Sequence, residues 1–178
     1  MASTVSGRRH RAGRVSADDD ACRGVTVAAM RSLAGAGAGF LLAVLWMDLL
    51  FDVQARGHTD VDLPLEVRTS IARYYARVTT ATRPMNRLIA LIMLVTIAAT
   101  VAVLGRGELP AWRAIPALVL VLGAVGLAGG RTVPNAVRLG ALGDDEREQS
   151  RLVRSILRDH LACLAAIVVF LVVMLLPA

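Results

Sequence analysis

Lysine is absent from the 178 residues, so all 20 basic residues are arginines, set against 14 acidic residues for a net charge of +6. So complete an absence reads as the codon bias of a high-GC genome rather than as chemistry. Charge of either sign is scarce at 19% and aromatic residues make up 4%, while 56% of the chain is hydrophobic. A soluble domain averages about 45–50% apolar and roughly a quarter charged, so the composition excludes most soluble readings. Two cysteines, Cys22 and Cys163, offer no disulfide framework, because one falls in a polar tail and the other in an apolar run. No aromatic residue interleaves Arg8, Arg9, Arg11 and Arg14, which sets nucleic-acid binding aside. Phosphate loop, nucleophile elbow, paired-cysteine motif and zinc-protease signature are all missing, and with them ATPases, α/β hydrolases and metalloproteases.

What the chain does have is four long apolar runs, at about residues 33–51, 88–104, 114–130 and 156–176. A membrane helix needs about 20 mostly apolar residues to cross a hydrocarbon core of roughly 30 Å, and each run meets or approaches that length. The first carries Trp46, Asp48 and Phe51 where a cleavable leader needs small residues, so it reads as a retained helix. The fold class that follows is all-α, an integral membrane four-helix bundle. Residues 1–24 read as a disordered basic tail and 25–178 as the four-span membrane domain. Gly35 with Gly39, and Gly126 with Gly130, form small-residue faces suited to close helix packing.

The links differ in kind. Spans two and three are joined by a short turn bearing Gly105, Gly107 and Pro110. Between spans one and two, Asp62 offers an N-cap and Pro64 an early helical position. Val67, Ile71, Tyr74, Tyr75, Val78 and Thr82 then recur at helical spacing, opposite Glu66, Ser70, Arg73 and Arg77. That pattern predicts an interfacial amphipathic helix with its tyrosines at headgroup level. Between spans three and four, a charged helix starts near Asp145 and runs into the last span. Each long link holds six arginines and the short one two; six more precede or enter span one, so the long links read as cytoplasmic by twelve to eight.

Two long links on one side bring most polar residues to one end. Asp48, Asp52 and Arg56 lie four apart on the first span, and Arg131, Asn135, Arg138, Arg154 and His160 reach the same end. A carboxylate at a helix centre costs roughly 2.5–3.5 kcal/mol on insertion scales, so Asp48, though nearer the span's end, calls for a partner; Arg131 or Arg138 could supply it. Either the pair fixes helix register, or the cluster is a pocket. In the pocket reading Asp48 or His160 transfers a proton, and Asp52, Arg131, Asn135, Arg138 and Arg154 bind. Pro134 disfavours helix at Val133, which suits a span that ends or kinks there. His10 and His58 lie outside the spans and Cys163 is alone beside His160, so neither a metal site nor a haem is expected, and no cofactor.

Four spans, a Val133–Pro134 pair closing the third with Asn135 nearby, and His160 opening the fourth form a pattern. It resembles the anthrone-oxygenase-like family of small four-helix membrane proteins, over about Gly35 to Leu176. The chain departs from that family's pattern at Leu157 and Arg158, where tryptophans would stand, and at Asp159, where an asparagine would. Fungal members are associated with cofactor-free oxidation of an anthrone by dioxygen.

Three functional readings stay open: a non-enzymatic accessory or structural membrane protein, a membrane enzyme acting on a hydrophobic or quinone-like molecule at the polar end, and a small solute carrier working as a dimer. The expected partners are the lipid bilayer of the cell membrane, a membrane protein or a second copy, and such a small molecule.

Overall fold

The computed structural model describes residues 5–80, 83–107 and 109–176, and all of its regular structure is helical. Helix α1 spans Val5–Asp52, α2 Leu65–Thr80, α3 Arg83–Gly105, α4 Ala111–Leu127, α5 Val133–Gly140 and α6 Glu146–Leu175. Four stretches are long and apolar enough to cross a membrane: Ala28–Ala55, Pro84–Gly105, Ala111–Gly140 and Glu146–Leu175. They take in the four apolar runs of the sequence to within a residue. Helix α1 also takes in most of the stretch read as a tail, where no proline interrupts it.

Helices α1 and α4 each pack on both α3 and α6. The apolar core between them is built largely from small residues, with Ala34, Ala38, Ala99, Ala117 and Ala124 around Val121, Ile167 and Phe170. The outward faces are apolar as well: Leu94 is 65% exposed, Val119 63% and Trp112 75%. Between 22% and 39% of the most apolar window of each stretch is buried, so most of this hydrophobic surface faces away from the protein. At the far end, Arg31 donates to the carbonyls of Met174 (2.7 Å) and Leu176 (3.1 Å), and Arg113 to those of Val173 (2.7 Å) and Leu176 (2.8 Å). These are the carbonyls that the end of α6 leaves without helical partners, and cations suit the negative end of the helix dipole.

A second core occupies the polar end. There α2 packs on α5, and Ile71, Ala72 and Tyr75 meet Leu139, Leu152, Val153 and Ile156. Helix α2 begins at Leu65, with the Pro64 carbonyl accepting from the Arg68 amide at 3.1 Å; the helix starts after the proline rather than at the expected Asp62 cap. Asp145 does cap α6, accepting from the Glu148 amide at 2.8 Å, and the charged segment and last span are one helix.

The third span neither ends nor breaks at Val133–Pro134. Val133 is helical (φ −61°, ψ −48°), and a single widened π-type turn over Ala128–Thr132 joins α4 to α5. In that turn the Val133 amide reaches back to the Ala128 carbonyl. Pro134 then sits in the first turn of α5, where its missing N–H leaves no helical bond unmade.

The close helix approaches also fall elsewhere than the paired glycines. A Cβ on Gly39, Gly126 or Gly130 would meet nothing within 4 Å, whereas one on Gly37 would collide with Thr96 Oγ1 of α3. On Gly140 a Cβ would stand 2.8 Å from the backbone nitrogen of Ala76 and 2.9 Å from its Cα. Backbone cannot give way as a side-chain tip can. Gly140→Ala should therefore lower stability by ~1–3 kcal/mol through overpacking, against a helix-propensity gain of about 0.5–1 kcal/mol that Gly126→Ala should show alone. Thermal unfolding of the two variants in mild detergent measures the opposite signs.

Candidate functional site

Three helices bring five polar side chains together inside the polar end. Asp48 and Asp52 are four apart and share one face of α1. Tyr74 and Tyr75 come from α2, and His160 from α6, ten residues beyond Ser150 in the tether that joins the α1–α2 link to it. In that tether Ser150 Oγ accepts from the Leu63 amide at 3.0 Å and donates to the Glu146 carbonyl at 2.8 Å. The buried Arg68 guanidinium pairs with Glu146 at 2.9 Å, and Arg154 donates to the carbonyls of Val61 (3.0 Å) and Asp60. These bonds hold the α1–α2 link and the start of α2 against α6.

Asp52 is fully buried, and both its oxygens are engaged. Oδ1 accepts from the Tyr75 hydroxyl at 2.8 Å and Oδ2 lies 2.6 Å from His160 Nδ1. An ionised carboxylate that close requires the proton on Nδ1. The other ring nitrogen, Nε2, is 3.8 Å from Asp48 Oδ2, and Asp48 Oδ1 accepts from the Tyr74 hydroxyl at 2.6 Å. The imidazole is thus flanked by two carboxylates, each backed by a phenol. Phe51 stacks on Tyr74, ring centroids 4.0 Å apart and planes 11° from parallel, so Tyr74 closes the outer side of the group.

The tyrosines expected at headgroup level therefore point inward. Tyr75 is 3% exposed, since a buried carboxylate is a far stronger acceptor than the polar groups of an interface. The expected arginine partners of Asp48 are also elsewhere. Arg131 lies 3.2 Å from Asp159 Oδ2, without hydrogen-bond alignment, and donates to Ser155 Oγ at 3.0 Å. Asn135 reaches the same Ser155 at 3.4 Å. Arg138 pairs with Asp144 at 2.7 Å and Glu148 at 3.0 Å on the surface. Of the residues singled out in the sequence, Asp48, Asp52 and His160 meet, Arg131 and Asn135 form a second group around Ser155, and Arg138 and Arg154 act as tethers. Cys163 donates to the Ala124 carbonyl at 3.5 Å rather than pairing with the imidazole. Among the described residues no three His, Cys, Asp or Glu side chains are grouped to hold a metal ion.

Sequence reasoning missed Tyr74, Tyr75, Ser155 and Asp159 as members of these groups. The signal for the tyrosines was present: they occupy the apolar face of α2, and that face has to cover the end of α1 where the two aspartates stand.

Burial, then the neighbouring carboxylates, push both phenols well above the usual tyrosine value: Asp48 acts on Tyr74 by hydrogen bond and charge, Asp52 on Tyr75. Groups whose folded-state pKa is raised stabilise the fold fully below the unfolded value, near 10, and that contribution is lost as pH climbs above it. Tyr74 and Tyr75 are the only tyrosines, so phenolate absorbance reads them alone. In the folded protein little phenolate should form at a pH where the unfolded chain is more than half ionised; equal titration of the two states would contradict the buried network. Compared with known protein families, curated proteins and solved structures, the chain matches none.

Proposed function

We propose that the chain is a four-span integral protein of the cell membrane with a non-enzymatic, accessory or structural role. Helices α1, α3, α4 and the apolar part of α6 form its bundle, with α2 lying along the polar end. The apolar outward faces of these helices support insertion. One observation carries the functional reading: Asp52 is fully closed off and His160 is 7% exposed, so this carboxylate–imidazole couple is spent on joining α1, α2 and α6. A catalytic group must touch its substrate, whereas a register lock needs only its partners. The bilayer would be the principal partner, with a second membrane protein seated against the apolar flanks.

A second reading, a membrane enzyme of anthrone-oxygenase-like type, is favoured by a different feature. Asp48 and Tyr74 form the half-buried edge of the network, and Asp48 stands 3.8 Å from His160 Nε2. That arrangement offers a route for a proton between the surface and the imidazole, and Asp48 would exchange it with a hydrophobic, quinone-like molecule.

The two readings part on Asp48. For the structural role, His160→Ala leaves one oxygen of the buried Asp52 carboxylate without a partner and lowers stability by ~3–5 kcal/mol. Asp48→Asn, which keeps a Tyr74 acceptor, should cost about 1 kcal/mol. Thermal unfolding in mild detergent gives both values. Oxygen uptake by the reconstituted protein with anthrone as probe should not exceed the protein-free rate. Uptake above it that Asp48→Asn abolishes while leaving the fold intact would replace the structural role with the enzymatic one.

A further inference from the structure

The first half of α6 carries Arg147, Arg151, Arg154 and Arg158, spaced four, three and four apart, which places all four on one side of the helix. Arg56, from the turn that ends α1, faces them across a cleft of about 650 Å³. Two of the five are committed to the protein. Arg154 holds the link carbonyls, and Arg151 pairs with Glu148 at 2.6 Å. Glu148 is the one carboxylate lining the cleft, and it is shared with Arg138. Arg56, Arg147 and Arg158 have no carboxylate partner among the described residues and are exposed. The cleft is thus a concentration of positive charge with three guanidinium forks unspent.

Apart from the half-buried His58, its remaining walls are apolar. Ala55 and Leu157, both buried, and the exposed Val61 supply apolar surface beside the arginines. The cleft also lies where α6 passes from its charged segment to its apolar one, level with the last turn of α1. A guanidinium fork matches the oxygens of a phosphate in two parallel bonds, and basic pockets at the ends of membrane helices suit anionic head groups.

We propose that this cleft binds the phosphate-bearing head group of an anionic glycerophospholipid, with Arg56, Arg147 and Arg158 spread around the head group and Ala55, Val61 and Leu157 against the glycerol and upper acyl chain. The assignment rests on the membrane-inserted reading above. It differs from the general attraction of arginines to an anionic surface, because it requires these three and not the exposed Arg73 and Arg77 of α2.

The test is a titration of the full-length protein, purified in mild detergent, with dioleoylphosphatidylglycerol or dioleoylphosphatidylcholine, bound lipid being counted by native mass spectrometry. Phosphatidylglycerol should bind more tightly than phosphatidylcholine. Each cleft arginine replaced, in Arg56→Gln and in Arg147→Gln with Arg158→Gln, should lower that affinity about fivefold. Arg73→Gln with Arg77→Gln should leave it unchanged. Equal loss in the α2 pair, or undiminished selectivity in the cleft variants, would overturn the proposal. Displacement of the lipid by millimolar inorganic phosphate or glycerol phosphate would overturn it too, in favour of a soluble phosphate compound. Circular dichroism confirms that each variant is folded, and Arg56→Gln alone, at a helix end, carries the reading if the double variant is not. Resistance of the wild-type protein to alkaline carbonate extraction reports insertion separately, so a failed lipid site and a failed membrane reading give different results.

Discussion

A carboxylate with no exposure to solvent has to be matched where it stands, and Asp52 imposes that condition on the whole polar end. Uncompensated, an ionised carboxylate in an apolar interior costs so much that it either finds partners or takes up a proton. Here it finds Tyr75 on one oxygen and His160 on the other. Those two side chains belong to α2 and α6, so satisfying one atom pair fixes two helices against a third. The positions of α2 over the bundle end, of Tyr74 beside Asp48, and of Phe51 on Tyr74 follow from it.

The molecule divides its cohesion in two. Between the long helices the packing is by small residues, alanines above all, with few polar contacts and with Gly37 admitting Thr96 at the α1–α3 contact. At the polar end, larger aliphatic residues of α2, α5 and α6 form a core of ordinary soluble character, laced with directional bonds. Such a division fits the membrane-inserted reading proposed above, in which the two halves face different solvents. In lipid, association gains little from burying hydrocarbon and depends on close contact, while near water it gains from both burial and hydrogen bonding. Arg31 and Arg113 serve the opposite end differently, closing off the last carbonyls of α6.

Much of this was legible in the residues. Hydropathy alone located the four long helices, because an apolar run of that length has few other uses, and the charged segment from Asp145 announced the start of α6. Asp48, Asp52 and His160 could be placed at one end by topology and helical spacing. Their partners could not. The sequence offers twelve arginines at that end, and charge favours any of them as a mate for Asp48, yet none pairs with it: Arg68, Arg131, Arg138, Arg151 and Arg154 are taken by Glu146, Asp144, Glu148, Asp159 and backbone carbonyls, and others stay at the surface. Which cation meets which anion depends on helix rotation, and rotation is set by packing that no local pattern encodes. The same ignorance hid the tyrosines: at headgroup level or turned inward, they occupy the same positions on the helical wheel of α2. Proline misled in a related way, since Pro134 disfavours helix at Val133 in general but not where a widened turn has already re-routed the hydrogen bonds.

That turn also acts as a phase corrector. Ala124 in α4 and Ala136 in α5 are both buried although twelve residues apart, a spacing that in unbroken α-helix would leave them about 120° out of line. The π-type turn over Ala128–Thr132 absorbs roughly one residue, worth about 100° of rotation, and so returns the second half of the span to the facing of the first. Gly140 meets Ala76 only because of that offset. Length and turn are therefore coupled: with one residue fewer there, unbroken α-helix would already bring the two alanines to within about 20° of each other, whereas the present length without the widened turn would swing α5 about 100° away from α2.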